Sequence, residues 1–334
     1  MNVRERFLSV FNFEKPDDRL PIIEWAPWWE KTYHRWVCEG LPDSIKYDDL
    51  VDYFGLDNLE CIRVSTITHK CPQPAYHGAP IISNEAEYLA VKPHILCDSL
   101  IEHAVKEAVR LKERHTRGEI AIRIWLDGCF WFPRSLFGIE DHLYAFYDDP
   151  KLMHRMNRDL TDFNLRALDA LFDVITPDMV GIAEDMSYNH GPMLSGDMFH
   201  EFVAPYYAKL IPAVKKHGIK VLVDSDGDVM PLLPWLTEVG VDGIYPLERQ
   251  AGVDVAKIRK LYPHLIMLGA FDKMVMSRGE AAMRKEFERL LPVMQSGGFI
   301  ASVDHQTPPG VSLENYRIYL QLFNEYAIKG VAYV

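Results

Sequence analysis

The chain has 334 residues, 48% of them hydrophobic, enough to bury a large core as one barrel or two ordinary domains. With 36 Lys and Arg against 48 Asp and Glu its net charge is −12, and no basic cluster stands out, which argues against nucleic acid and for small molecules or proteins as partners. The start, Met1 to Arg19, is charged and lacks a signal-length apolar run, and no stretch approaches the ~18 apolar residues of a membrane span, so a cytoplasmic protein is expected.

Val3, Phe7, Leu8, Val10 and Phe11 are spaced for an amphipathic helix over Met1–Phe13, which Pro16-Asp17-Asp18 closes. Leu20–Trp25 reads as the first buried strand. It runs into an aromatic loop, Trp25-Ala26-Pro27-Trp28-Trp29, followed by Tyr33 and Trp36. That loop is either a satellite core or an aromatic wall for a flat substrate. Residues 40–100 alternate short strand and turn signals, punctuated by Pro72, Pro74, Pro80 and Pro93. The five cysteines, Cys38, Cys61, Cys71, Cys97 and Cys129, contain no CxxC pair, so no disulfide framework is expected.

Helical spacing resumes over Ser99–Arg114, and Ile120–Leu126 is a β run that stops at Asp127-Gly128. An aromatic-rich loop, Phe130–Phe137, follows. Helices are expected at Asp141–Tyr147 and Asp149–Phe172, the second with an acidic N-cap and Pro150 in its first turn. Strand and helix then alternate: Met179–Ala183, helix 196–217 closed by Gly218, Ile219–Val223, helix 229–239 closed by Gly240, and Gly243–Leu247. The rhythm continues through helix 254–261, Leu265–Ala270, helix 279–295 and Phe299–Val303 to a final helix over Leu313–Tyr326. Repeated βα units predict a (β/α)8 TIM-type barrel: one domain over 1–334, with 1–115 as an N-terminal elaboration and 116–334 as the main repeats. An open doubly wound sheet is the alternative, but no GxGxxG opens a helix.

Five of these strands end at acids or histidine: Glu184-Asp185, Asp224-Ser225-Asp226, Glu248, Asp272 and Asp304-His305. A parallel barrel opens all its C-terminal strand ends on one face, where so many carboxylates repel unless a cation or proton is shared. Asp224, Asp226 and His305 form a plausible open metal site of two oxygens and one imidazole, suited to Zn²⁺ and also to Mg²⁺ or Mn²⁺. The turn Asp-Ser-Asp-Gly-Asp and a structural histidine are the plainer readings of the same residues. Glu184 and Glu248 are candidates for a further ligand or a general acid. His190, in the turn Asn189-His190-Gly191-Pro192, is a candidate substrate contact, and Asp272 is expected to pair with Lys273.

The runs Val221–Asp228, Gly240–Glu248, Gly298–Ile300 and Leu313–Tyr316 resemble the uroporphyrinogen decarboxylase superfamily, with the resemblance extending over about residues 120–328. That superfamily includes zinc-dependent methyltransferases that work with corrinoid proteins. True decarboxylases carry arginines after the first strand to hold a polycarboxylate tetrapyrrole. Here Trp25–Glu30 stands in that place, with no arginine until Arg35, so that reaction is not expected. The methyltransferase branch has His-x-Cys-Gly where this chain has Asp224-Ser225-Asp226-Gly227, and a later cysteine near His305. Exchange of sulfur ligands for oxygen and nitrogen implies a more electrophilic zinc, suited to an O-methyl donor.

The resemblance thus implies methyl transfer from a small O-methylated substrate, methoxyaromatic compounds included, to cobalamin carried by a separate corrinoid protein. Trp25, Trp28, Trp29 and the segment beginning at Phe130 would stack on the substrate. A metal-assisted lyase, hydrolase or decarboxylase, and a non-catalytic binding protein, are the competing readings.

Overall fold

Strands buried on both faces must pair every backbone N–H and C=O in a ladder, and seven short runs, most of them apolar, do so. In this computed structural model, which describes residues 1–26 and 28–332, they are β1 (Asn58–Val64), β2 (Ile120–Asp127), β3 (Met179–Ala183), β4 (Lys220–Ser225), β5 (Gly243–Pro246), β6 (Ile266–Phe271) and β7 (Phe299–Val303). All pair in parallel and in chain order. Helices lie between most successive strands and pack their apolar faces on the outward residues of the sheet, such as Ile122, Ile124, Val180 and Val223, all fully buried.

The sheet curls on itself. Tyr245 on β5 reaches across to β3, where a Cβ on Gly181 would lie 2.3 Å from its hydroxyl oxygen. Arg123 on β2 places its guanidinium carbon 5.9 Å from the same tyrosine ring. Side chains two and three strands apart meet in this way because the sheet is strongly curled.

Leu20–Trp25 differs from expectation, being an irregular stave rather than a strand of the ladder. Pro21 has no N–H to give, and the segment is tied at both edges by separate bonds. Ile22 exchanges bonds with Asp57, just before β1, and the Trp25 indole donates to Val303 O at 2.8 Å on β7. Asp57 is held in turn by Arg6 and Arg19. Where the sequence predicts a closed eight-stranded barrel, the structure has a curled sheet of seven hydrogen-bonded strands whose ends do not pair with each other among the described residues, with this stave beside them.

Other differences have local causes. The expected 196–217 helix is two, Gly196–Phe202 and Ala204–Lys215, because Pro205 stands in the first turn of the second. The 229–239 helix shortens to Leu233–Glu238, while Asp228 closes a turn on Met230 N. Phe130–Phe137, expected as a loop, contains a helix over Trp131–Phe137. Strand β1 and the helix Glu85–Val91 lie within residues 40–100, where no element was assigned from the sequence. Pro27, inside the expected aromatic loop, lies outside the described residues.

Candidate active site

At the C-terminal ends of the strands a cavity of about 190 Å³ is lined by Arg63, Trp125, Trp131, Asp185, Asp224, Asp226 and His305, with Ala183 completing its wall. Inward alternation places Asp224 and Asp226 two residues apart on one face as β4 ends, and His305 follows β7. His305 Nε2 is 3.7 Å from Asp226 Oδ2. Asp224 Oδ1 is buried and has no hydrogen-bond partner.

The electrostatics follow from burial and like charge. Burial, then Asp226, pushes the Asp224 carboxyl well above the usual carboxylate range. Burial, with Glu248 and Asp185 nearby, pushes Asp226 up to about 7. Burial, and then Lys273, lowers His305 below its ordinary value and favours the neutral, ligating imidazole. Among the described residues no three His, Cys, Asp or Glu side chains stand close enough together to hold a metal ion. In donor type the residues nevertheless fit a divalent cation: two oxygen donors, one neutral nitrogen, and a buried carboxylate oxygen with nothing bound to it.

The two expected acids have other neighbours. Glu184 is fully buried behind the cavity wall, where its carboxylate accepts from the N–H groups of Cys129, Phe130 and Trp131 and from the Tyr207 hydroxyl. It anchors the N-terminus of the helix that carries Trp131, and the catalytic role expected of it is corrected to a positioning one. Glu248 stands closer to the site: it accepts from Gly227 N at 3.2 Å and from Lys273 Nζ at 2.9 Å. Lys273 therefore pairs with Glu248, not with Asp272, which caps Met274 N instead. Asp304, fully buried beside His305, accepts from the backbone of Arg249 and Lys273.

The expected substrate contacts disperse. Trp25 lies beneath the site, its ring 6.0 Å from that of His305 and 5.2 Å from that of Tyr245. Trp28 packs among Trp36, Tyr47, Phe54 and Tyr316 and is core, not substrate wall. Trp29 borders a separate surface groove with Lys31 and His34. Phe130 is fully buried against His142 and Phe146, and His190 is exposed beside Tyr188 in a short hairpin. The cavity's aromatic walls are Trp125 and Trp131 instead. Trp131 falls inside the segment expected to stack on substrate. Trp125 was hidden in an apparently uniform β run, where only its alternation with Ile124 and Leu126 signals an inward position.

Fold and site together define an α/β protein with a curled parallel sheet and an acid-lined pocket at its C-terminal rim. A family model described as uroporphyrinogen decarboxylase (URO-D) matches residues 70–326, and the chain belongs to that family of enzymes. Among solved structures, a methyltransferase from Methanosarcina mazei is similar over 98% of this chain and 99% of its own, with a TM-score of 0.61 and 15% identity. A B12-independent methionine synthase from Shewanella sp. W3-18-1 aligns over 67% of this chain and 65% of its own, with a TM-score of 0.38 and 12% identity. A hyperthermophilic beta-glucosidase mutant aligns over 90% and 85%, with a TM-score of 0.44 and 12% identity. No curated protein matches the chain. Among the described residues no helix is long and apolar enough to cross a membrane.

Proposed function

We propose that this protein is a metal-dependent methyltransferase that passes a methyl group from a small O-methylated compound to a corrinoid carried on a separate protein. The observation that supports this best is the cavity itself: about 190 Å³, walled by two tryptophans and ending at Asp224, Asp226 and His305. Drug-sized ligands need roughly 300 Å³ or more, so a tetrapyrrole has no room where a single substituted ring does.

Asp224, Asp226 and His305 would hold the ion, Zn²⁺ in this reading, which would take the place of a proton shared among the acids. Bound there, it supplies Lewis acidity toward the ether oxygen of the methyl donor. The chain's own groups do the rest. Trp125 and Trp131 hold the ring and exclude water, which strengthens every charge interaction in the cavity. Lys273 holds Glu248 at 2.9 Å, and Glu248 in turn braces the Gly227 turn that presents Asp226.

The test is to mix purified protein, one equivalent of Zn²⁺, a methoxylated benzene and cob(I)alamin. Formation of the methylcobalamin spectrum, dependent on the metal and absent from the Asp226→Ala variant, is expected. Equal rates without metal, or with the variant, overturn the proposal. An acid raised to about 7 in the same cavity also suits proton transfer, and so favours a lyase or decarboxylase as the second reading. Metal-independent turnover of a small carboxylic acid, with no methylcobalamin formed, would favour that reading.

A further inference from the structure

The helix Asp141–Asp148, with the sequence Asp-His-Leu-Tyr-Ala-Phe-Tyr-Asp, is apolar on two sides. His142, Ala145 and Phe146, at i, i+3 and i+4, are buried against the rest of the chain, where Phe146 packs on Phe130 and Phe202. Tyr144 and Tyr147, three residues apart and so on one face, are 67% and 72% exposed. A helix that is apolar all round belongs between two partners, and this chain covers one side of it.

The open side forms one wall of a groove of about 560 Å³, lined by Leu143, Tyr144 and Tyr147 from this helix and by Met193, Leu194 and Met198 from the segment that enters the helix Gly196–Phe202. The Tyr147 hydroxyl donates to Met198 Sδ at 3.0 Å, where the two walls meet. Tyrosine and methionine are enriched in protein interfaces, and a contiguous exposed patch of them marks one. The charge at the groove has one sign. Glu140 lines it, Asp141, Asp148 and Asp197 stand exposed on its two helices, neither helix contains a lysine or arginine, and no basic residue lines the groove. The exposed faces of the tyrosine rings attract cations as the carboxylates do.

The groove is joined to the acid-lined cavity. Pro192 lines the groove and ends the short hairpin that begins at Ser187, and the other side of that hairpin is built onto the Asp226 turn. Asp228 N donates to Tyr188 O at 2.9 Å, Ser187 Oγ donates to Asp228 O at 2.6 Å, and a Cβ on Gly227 would lie 2.5 Å from the Tyr188 backbone. An occupant of the groove therefore touches the loop that frames the cavity. A second copy of this chain, related by a two-fold axis, would bring the same acids against themselves, whereas a basic partner meets opposite charge. The eight residues of the helix span about 12 Å, the length over which a docked helix presents anchors at i, i+4 and i+7. We propose that this groove docks an amphipathic helix of another protein, with its apolar side seated between Tyr147 and Leu194 and lysines or arginines flanking it. This interaction goes beyond the methyl-transfer reading and stands without it.

The probe is a fluorescein-labelled synthetic helix of about 15 residues, with leucines at the anchor spacing and lysines elsewhere, titrated with the full-length protein and read by fluorescence anisotropy. A second peptide carries glutamate in place of each lysine. The lysine peptide is expected to bind at least about tenfold more tightly than the glutamate peptide. Tyr144→Ser combined with Tyr147→Ser should weaken it about tenfold, and both side chains are exposed enough for the variant to fold. Leu89→Ser, at a side chain 46% exposed on the helix Glu85–Val91, is the control and should leave the affinity unchanged. Asp141→Asn combined with Asp148→Asn should weaken binding severalfold and flatten its dependence on salt. Equal affinities for the two peptides, or wild-type affinity in the double tyrosine variant, overturn the proposal. A protein that sediments as a dimer and becomes a monomer on loss of the two tyrosines also overturns it, in favour of a second copy in the groove.

Discussion

The carboxylate of Glu184 fills the space beside Gly128: a Cβ on that glycine would lie 2.2 Å from the carboxyl carbon. The glycine lets β2 turn into the helix Trp131–Phe137 over the carboxylate, which gathers three successive N–H groups and the Tyr207 hydroxyl. An acid at a strand end reads from sequence as chemistry. Here it is the peg on which one wall of the cavity hangs.

Glu184→Ala should accordingly destabilise the fold by about 3–5 kcal/mol, since each stranded buried donor costs about 1–3 kcal/mol. Urea unfolding measures it. Glu184→Gln should cost less, because the amide keeps one acceptor oxygen. A loss under about 1 kcal/mol in the alanine variant would contradict the anchoring role.

Stability should fall as pH rises through the window from about 4.5 to 7, and Glu24 is one cause. Burial pushes its carboxyl up to about 7, against the bonds from Ser302 and Tyr316 that favour ionisation. Over that window the unfolded chain has lost the proton and the folded chain still holds it, so each step up in pH favours unfolding. Above about 7 the effect levels off. A shift of this size amounts to roughly 3 kcal/mol as an upper bound. Glu184, also raised to about 7 by burial, contributes in the same direction. Glu24→Gln should therefore remove part of the slope between pH 5 and pH 8, and an unaltered slope in paired urea melts would count against it.

Trp28 and Trp131 should separate cleanly in mutagenesis. Trp28 is 5% exposed amid four aromatic rings, and its replacement by alanine should cost about 3–5 kcal/mol of stability. Trp131 lines the cavity, with Arg134 over its ring at 5.3 Å. Its alanine variant should weaken binding of an aromatic ligand about tenfold while changing stability little. Ligand titration and urea melts on both variants decide the matter, and equal effects of the two on ligand affinity would refute the assignment.

Much of the βα rhythm could be read in the sequence because buried parallel strands leave continuous apolar runs, as at Val221–Val223 and Phe299–Val303. The convergence of Asp224, Asp226 and His305 on one rim could be read because parallel strands all end on the same side. Strand β1 is hard to read because only Ile62 and Val64 of its seven residues are buried, too short an alternation to separate from the surrounding turn signals. Pro133 disguised the helix that carries Trp131. The roles of Trp28 and Glu184 were illegible for another reason: an aromatic or an acid is the same letter whether its partners are substrate or protein. Only the packing of distant segments distinguishes the two.

The last prediction concerns Asp226. Burial and the neighbouring Glu248 and Asp185 make its charge costly, while its side chain is 39% exposed, so water screens part of that cost. In metal-free protein at pH 8 the unfolded chain bears this charge freely and the folded chain bears it against its neighbours. Asp226→Asn should then be the more stable form, by about 1 kcal/mol after allowance for screening. Zinc should reverse the order. An ion that binds the folded wild type at a hundred times its dissociation constant adds about 2.7 kcal/mol, and the variant, lacking a charged ligand, gains far less. Thermal melts of both proteins with chelator and with excess Zn²⁺ provide the four values needed. If the wild type gains no more from zinc than the variant does, Asp226 does not ligate the ion, and the mutual repulsion of these acids must be relieved by a proton instead.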